Sequence, residues 1–186
     1  MAFNGNGRLG FLLNFLRHPL RNASVVPSSK VASRNMFNGL DVEGIRYVIE
    51  LGPGTGVFTQ ELYDRLHPDA QVLVVELDEG YVASLKDRFG DRFDIVQSSA
   101  CRLESLLNER NWPHVDLVLS GLPFVLPGAV KKPMLSAIKG LTDRGTVFRF
   151  FTYMPPLMKP HYRMFQLRRV CFVLRNFPPM YIYSVN

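Results

Sequence analysis

Glu50-Leu51-Gly52-Pro53-Gly54-Thr55-Gly56 follows directly on the apolar run Tyr47-Val48-Ile49 and precedes Phe58, Leu62 and Leu66, which recur at helical spacing up to Pro68. The pattern reads as a buried strand, a glycine-rich turn and a helix. Without Cβ atoms at 52, 54 and 56 the backbone can approach a ligand closely, and the following helix presents its N-terminal amides. The spacing is GxGxG and not the GxGxxG of pyrophosphate binders. The acid at its head would repel a pyrophosphate and attract a cationic amino-acid group. Twenty residues after Gly56, Glu76 closes a second apolar run, Val72-Leu73-Val74-Val75. A carboxylate there can accept hydrogen bonds from a ribose diol.

Outward from this unit the alternation of strand and helix continues. Tyr81, Val82, Leu85 and Phe89 mark a helix ended by Gly90, and strands are expected at Phe93 to Gln97, Val115 to Leu119 and Thr146 to Thr152. Leu103-Leu106-Leu107 and Leu135-Ile138-Leu141 mark the helices between them. Val170 to Leu174 and Met180 to Val185 lie too close for a crossover helix and should pair as an antiparallel hairpin. The expected fold is α/β: a Rossmann-like, doubly wound sheet of seven strands, mostly parallel, with helices on both faces.

Ahead of the sheet, Leu9, Leu12, Leu13, Leu16 and Leu20 recur at helical spacing, with Gly10, Asn14, Arg17, His18 and Arg21 on the opposite arc. Pro19 should end the continuous part of this amphipathic helix near His18. Phe11 and Phe15 widen the apolar face, so both a membrane-surface helix and one packed on its own domain stay open. Pro27-Ser28-Ser29 offers an N-cap for a second helix through Met36, closed by Gly39. Residues 1–40 are read as an N-terminal amphipathic helical extension and 41–186 as the α/β domain that carries the glycine motif.

The chain of 186 residues is 47% hydrophobic and carries a net charge of +6, with a sequence pI near 9.5. Its cations are 16 Arg and six Lys. Such a balance suits an anionic partner, whether phospholipid, RNA or acidic protein. Cys101 and Cys171 stand far apart, which suggests neither a zinc site nor a disulfide framework and agrees with a reducing compartment. No apolar stretch reaches the roughly 18 residues that span a bilayer, so the expectation is a soluble or peripheral protein.

Glu50 to Gly56 with Glu76 resembles motifs I and II of the class I S-adenosyl-L-methionine (SAM) dependent methyltransferases, whose seven-stranded sheet ends in such a hairpin. The resemblance implies SAM as cofactor and S-adenosyl-L-homocysteine as product. It places Glu50, Gly52, Pro53, Gly54, Thr55 and Gly56 at the methionine part, and Glu76 with Leu77 at the nucleoside. The family commonly has Asp where this chain has Ser99, so adenine recognition would fall to Ser99, Ala100 and the backbone. Ser120-Gly121-Leu122-Pro123-Phe124 is similar to the Asn-Pro-Pro-Tyr motif of amino-group methyltransferases, with Ser120 in place of Asn. That similarity implies a nitrogen acceptor held by the turn carbonyls, next to the cofactor at Ser120.

In Phe15 to Leu20, Pro27 to Ser29, the glycine motif, Ser120 to Pro123, Phe151-Thr152-Tyr153 and Arg168 to Tyr183, the chain resembles bacterial phospholipid N-methyltransferases. That family's activity is N-methylation of phosphatidylethanolamine towards phosphatidylcholine at the cytoplasmic face of the membrane. The implied partners are the phospholipid substrate and an anionic membrane surface, met by Leu9, Leu12, Leu13, Phe15, Leu16, Arg17, Leu20 and Arg21. Neither nucleic acid nor metal is expected. Tyr153 and His161 are candidates for the base that deprotonates the amine, and Tyr153 joins Ser120, Gly121, Leu122 and Pro123 as the expected catalytic residues. Lys131, Lys132, Arg149, Arg163, Arg168 and Arg169 are candidates for the lipid phosphate. An RNA adenine N6-methyltransferase and an inactive membrane-binding module, the latter suggested by Ser99, remain as alternatives.

Overall fold

The computed structural model describes residues 26–174 and 179–186. In chain order they form α1 (Val26–Met36), β1 (Tyr47–Leu51), α2 (Val57–Arg65), β2 (Gln71–Glu76), α3 (Glu79–Phe89) and β3 (Asp94–Gln97). A 3-10 turn (Ala100–Arg102), α4 (Leu103–Asn108), β4 (Leu117–Ser120), α5 (Gly128–Thr142) and β5 (Val147–Thr152) follow. The last elements are α6 (Pro155–Met158), a second 3-10 turn (Lys159–Tyr162), β6 (Arg168–Val173) and β7 (Met180–Val185).

The strands make one seven-stranded sheet of order β3-β2-β1-β4-β5-β7-β6. β1 to β5 pair in parallel, and β7 inserts antiparallel between β5 and β6. The predicted hairpin is therefore present, with a register shift between Arg169 and Cys171. Strand order reverses between β1 and β4, and ligands of open α/β sheets bind at such a switch point, beyond the carboxyl ends of the strands. The glycine turn and Ser120 to Phe124 both leave the sheet there.

The inner strands β1, β2 and β4 are buried on both faces because both are covered, while the edge strands β3 and β6 expose Asp94, Gln97, Arg168 and Arg169. Val48, Val72, Val74, Leu117 and Leu119 pack with Met36 of α1, Leu62 of α2, and Leu85 and Phe89 of α3. Ile49, Leu51, Leu73, Val118, Phe148 and Phe150 pack on the other face with Leu103 and Leu106 of α4 and Leu135 and Ile138 of α5. Burying each such side chain stabilises the fold by about 1.5–3 kcal/mol, so the two layers dominate the free energy of folding.

Three details differ from expectation. α1 begins at Val26 and takes Pro27 to Ser29 into its first turn, where proline's missing N–H is harmless. α5 reaches back to Gly128 and continues through Pro133, the lost backbone bond being offset by burial of Met134, Leu135, Ile138 and Leu141. The β5–β6 connection contains α6 and a 3-10 turn that no apolar periodicity announced. The predicted amphipathic helix at Leu9 to Leu20, with its membrane-facing residues, lies outside the described residues. Among the described residues no helix is long and apolar enough to cross a membrane.

Candidate cofactor and acceptor site

Gly52, Gly54 and Gly56 have φ of 66°, 55° and 78°, in the left-handed region that side chains rarely adopt. The Gly52 amide donates to the Val75 carbonyl (2.9 Å), which ties the turn to the end of β2. A Cβ on Gly56 would lie 2.7 Å from Leu85 of α3. Arg88, also on α3, donates to the Thr55 carbonyl at 2.8 Å. The turn is thus braced from behind by α3, a role for Arg88 that the sequence did not disclose.

Glu50 sits in β1 opposite Val74 and Leu119, on the face covered by α2, and is 1% exposed. Neither carboxylate oxygen has a hydrogen-bond partner among the described residues. Burial pushes its pKa up to about 8; neighbouring Thr59 offsets part of the shift, and the charge of Glu76 adds to it. Glu76, by contrast, is held by backbone amides: Oε1 accepts from Leu77 (2.7 Å) and Asp78 (3.0 Å), and Oε2 accepts from Gly54 (3.1 Å). It links the glycine turn to the turn after β2. Of a carboxylate's roughly four acceptor positions one remains open on Oε2. Leu77 beside it is 68% exposed, an apolar surface at the rim. Ser99 caps its own 3-10 turn, its Oγ accepting from the Cys101 amide (3.5 Å) and from Cys101 Sγ (3.2 Å), while Ala100 is buried.

The acceptor turn locks onto the glycine turn. The Gly121 amide donates to the Leu51 carbonyl (2.9 Å), and a Cβ on Gly121 would lie 2.5 Å from the Gly52 oxygen. A Cβ on Gly52 would in turn meet Leu122 Cδ2 at 2.4 Å. Ser120, buried between Leu51 and Phe150, accepts from the Leu122 amide through Oγ at 3.3 Å. The structure thus brings Glu50 to Gly56, Glu76, Leu77 and Ser120 to Pro123 to one end of the sheet.

Tyr153 and His161 part company. The Tyr153 ring packs edge-on against Phe151, which meets Phe58 of α2, on the α2 side of the sheet. The His161 ring lies 5.5 Å from Phe124 at the end of the acceptor turn, on the α5 side, and its Nδ1 is 2.8 Å from Lys131 Nζ. Burial and then the charge of Lys131 hold His161 below the usual imidazole range. Arg149 is turned away from the site: it is 1% exposed and donates to the carbonyls of Met36 (2.8 Å) and Asn38 (2.9 Å) at the end of α1.

This arrangement fits SAM. A buried carboxyl without a partner suits the ammonium of an amino acid, and Glu76 keeps an acceptor position for a ribose hydroxyl. The paired glycines leave no room for side chains between the two turns.

The family model described as ribosomal RNA adenine dimethylase matches residues 10–114, which take in the glycine motif and Glu76 and stop short of Ser120. The chain is 36% identical over 174 residues to an ornithine lipid N-methyltransferase of Singulisphaera acidiphila, covering 91% of this chain and 90% of that protein. It is 31% identical over 132 residues to ribosomal RNA small subunit methyltransferase A of Synechococcus sp., covering 70% of this chain and 43% of that protein. Among solved structures, TrmN of Thermus thermophilus superposes with a TM-score of 0.61 at 20% identity, over 84% of this chain and 49% of that one, a likeness of fold. With the glycine turn, the paired acids and the seven-stranded sheet, these matches show that the chain belongs to the ribosomal RNA adenine dimethylase family, as a methyltransferase whose methyl donor is SAM.

Proposed function

We propose that this methyltransferase N-methylates the amine of a lipid headgroup at a membrane surface, with phosphatidylethanolamine as acceptor and phosphatidylcholine as the end of the series. The observation that carries the reading is the 36% identity to an ornithine lipid N-methyltransferase across nine-tenths of both chains. That correspondence spans the acceptor turn, whereas the family model ends at residue 114, ahead of it. The ornithine lipid headgroup is the neighbouring acceptor to test, since it too presents an amine beside an acidic group.

SAM supplies, when bound, a methyl group on a sulfonium. The residues of the chain bind and orient. Glu50 meets the amino-acid ammonium, Glu76 a ribose hydroxyl, and Leu77 and Ala100 flank the base. Ser99, its hydroxyl turned back on its own backbone, contributes through shape and main chain. The carbonyls of the Ser120–Gly121 turn accept hydrogen bonds from the attacking amine and aim its lone pair, with Leu122 and Pro123 fixing the turn and Phe124 flanking it. Orientation of this kind supplies much of the rate of a two-substrate transfer. Tyr153 stands on the far side of the sheet from His161 and remains the candidate for steering the amine's proton to solvent.

Labelled SAM is mixed with vesicles containing phosphatidylethanolamine, vesicles containing ornithine lipid, and ribosomal RNA. Label in the aminolipid fraction is expected. If calorimetry shows SAM bound while no lipid gains label, the reading fails. Label in RNA instead supports the second reading, an adenine N-methyltransferase, which the name of the family model favours.

A further inference from the structure

We propose that Lys131 and His161 together form the subsite for the acidic group of the acceptor headgroup, a phosphate or a carboxylate. This rests on the lipid reading above. Lys131 lies in the first turns of α5 and His161 in the second 3-10 turn, 30 residues apart, and packing brings Nζ to 2.8 Å from Nδ1. The His161 ring lies 5.5 Å from that of Phe124, which ends the acceptor turn.

The proton inventory sets what the pair can do. An ammonium has donors and no acceptor, so Lys131 donates to Nδ1. A neutral imidazole whose Nδ1 accepts carries its hydrogen on Nε2 and is there a donor, not a base. Burial and the charge of Lys131 disfavour a proton on Nδ1, in line with the direction of the hydrogen bond. The pair therefore presents one positive charge and several N–H donors with no free acceptor, which suits an anion. Among the described residues neither group forms an ion pair with a carboxylate. The chain from residue 144 to 186, which supplies the His161 side of the subsite, contains no Asp or Glu. Lys131 also stands near the positive end of α5, a placement that costs free energy unless an anion offsets it.

Of the other candidate cations, Arg149, Arg163, Arg168 and Arg169 are less well placed. Arg149 is committed to the end of α1. Arg168 and Arg169 lie on β6, three strands from β4. Arg163 donates to the carbonyl of Pro160.

The test uses the full chain and phosphatidylethanolamine in mixed micelles of a nonionic detergent. Lysophosphatidic acid, which has the acid and no amine, and monoacylglycerol, which has neither, serve as competing inhibitors. Loss of a charge-assisted hydrogen bond should raise the KM for lipid and the Ki of lysophosphatidic acid about tenfold in Lys131→Met. The Ki of monoacylglycerol should move several-fold less, and the Kd for SAM should stay within about twofold. Lys131→Arg should recover most of the loss, and His161→Gln, which retains an N–H donor, should lose less than His161→Phe. Equal shifts for the acidic and neutral inhibitors, or a fall in kcat at constant KM, overturn the assignment. Rates that follow added inorganic phosphate and not the acid of the lipid would make the pair a free-phosphate site and overturn it as well. Failure of the lipid reading is distinguishable, because wild-type protein would then place no methyl in lipid at all, and this subsite would fall with it.

Discussion

At the scale of single residues, the two acids named from sequence have opposite environments. Glu76 is satisfied by three backbone amides, whereas Glu50 is buried with no partner among the described residues and its pKa is pushed up to about 8. The sign of the pH effect follows from that raised value. Below about pH 4.5 the carboxyl is protonated in both folded and unfolded chains, and it has no effect on stability. Between about 4.5 and 8 the unfolded chain ionises first, so stability falls as pH rises, by roughly 1.4 kcal/mol per unit. Above about 8 the penalty is constant. Glu50→Gln should therefore stabilise the ligand-free protein by about 2–3 kcal/mol at pH 7 and hardly at all at pH 4.5, while weakening SAM binding. Urea unfolding at the two pH values and calorimetric titration with SAM measure both. A variant no more stable than wild type at pH 7 would mean that Glu50 is ionised and paired in the ligand-free fold. Ser99 teaches a related lesson: its position matched an adenine contact, but a hydroxyl two residues from a free amide turns back to cap it.

At the scale of elements, α1 owes its place to a residue 113 positions away. Arg149 reaches from β5 through the core to the carbonyls of Met36 and Asn38, where a cation also complements the helix's negative end. Its pKa is lowered, first by burial and then by Arg168. Arg149→Met should destabilise the protein by about 2–4 kcal/mol, since two carbonyls lose their donor at once. Hydrogen exchange should show α1 amides losing protection before those of β1 and β4. Uniform loss across the sheet would place the defect in the core and not at the cap. Arg149 was a candidate for the lipid phosphate because charge and chain position were all that could be seen of it. Its direction depends on which face of β5 it occupies and on what covers that face.

At the scale of the whole molecule, charge is unevenly shared: residues 144–186 hold seven Arg and Lys and no acid, while the rest of the chain is close to neutral. A lipid-headgroup enzyme with this charge distribution should bind anionic vesicles more strongly than zwitterionic ones, and binding should weaken at least tenfold between about 0.05 and 0.5 M salt, as the Debye length shrinks. Co-sedimentation measures this, and binding indifferent to both salt and anionic lipid would remove charge from the docking step. The seven-stranded sheet, its hairpin, the glycine turn and Glu76 were legible from residue order, because apolar periodicity and glycine spacing are properties of neighbouring residues. The amphipathic pattern at Leu9 to Leu20 was legible in the same way, and no described residue tests it. Only the tertiary structure decided that Gly121 presses on Gly52, that Tyr153 and His161 stand on opposite sides of the sheet, and that Lys131 meets His161. Those are contacts between residues tens of positions apart, set by strand order and by which helix covers which face, and neither quantity is written in local sequence spacing.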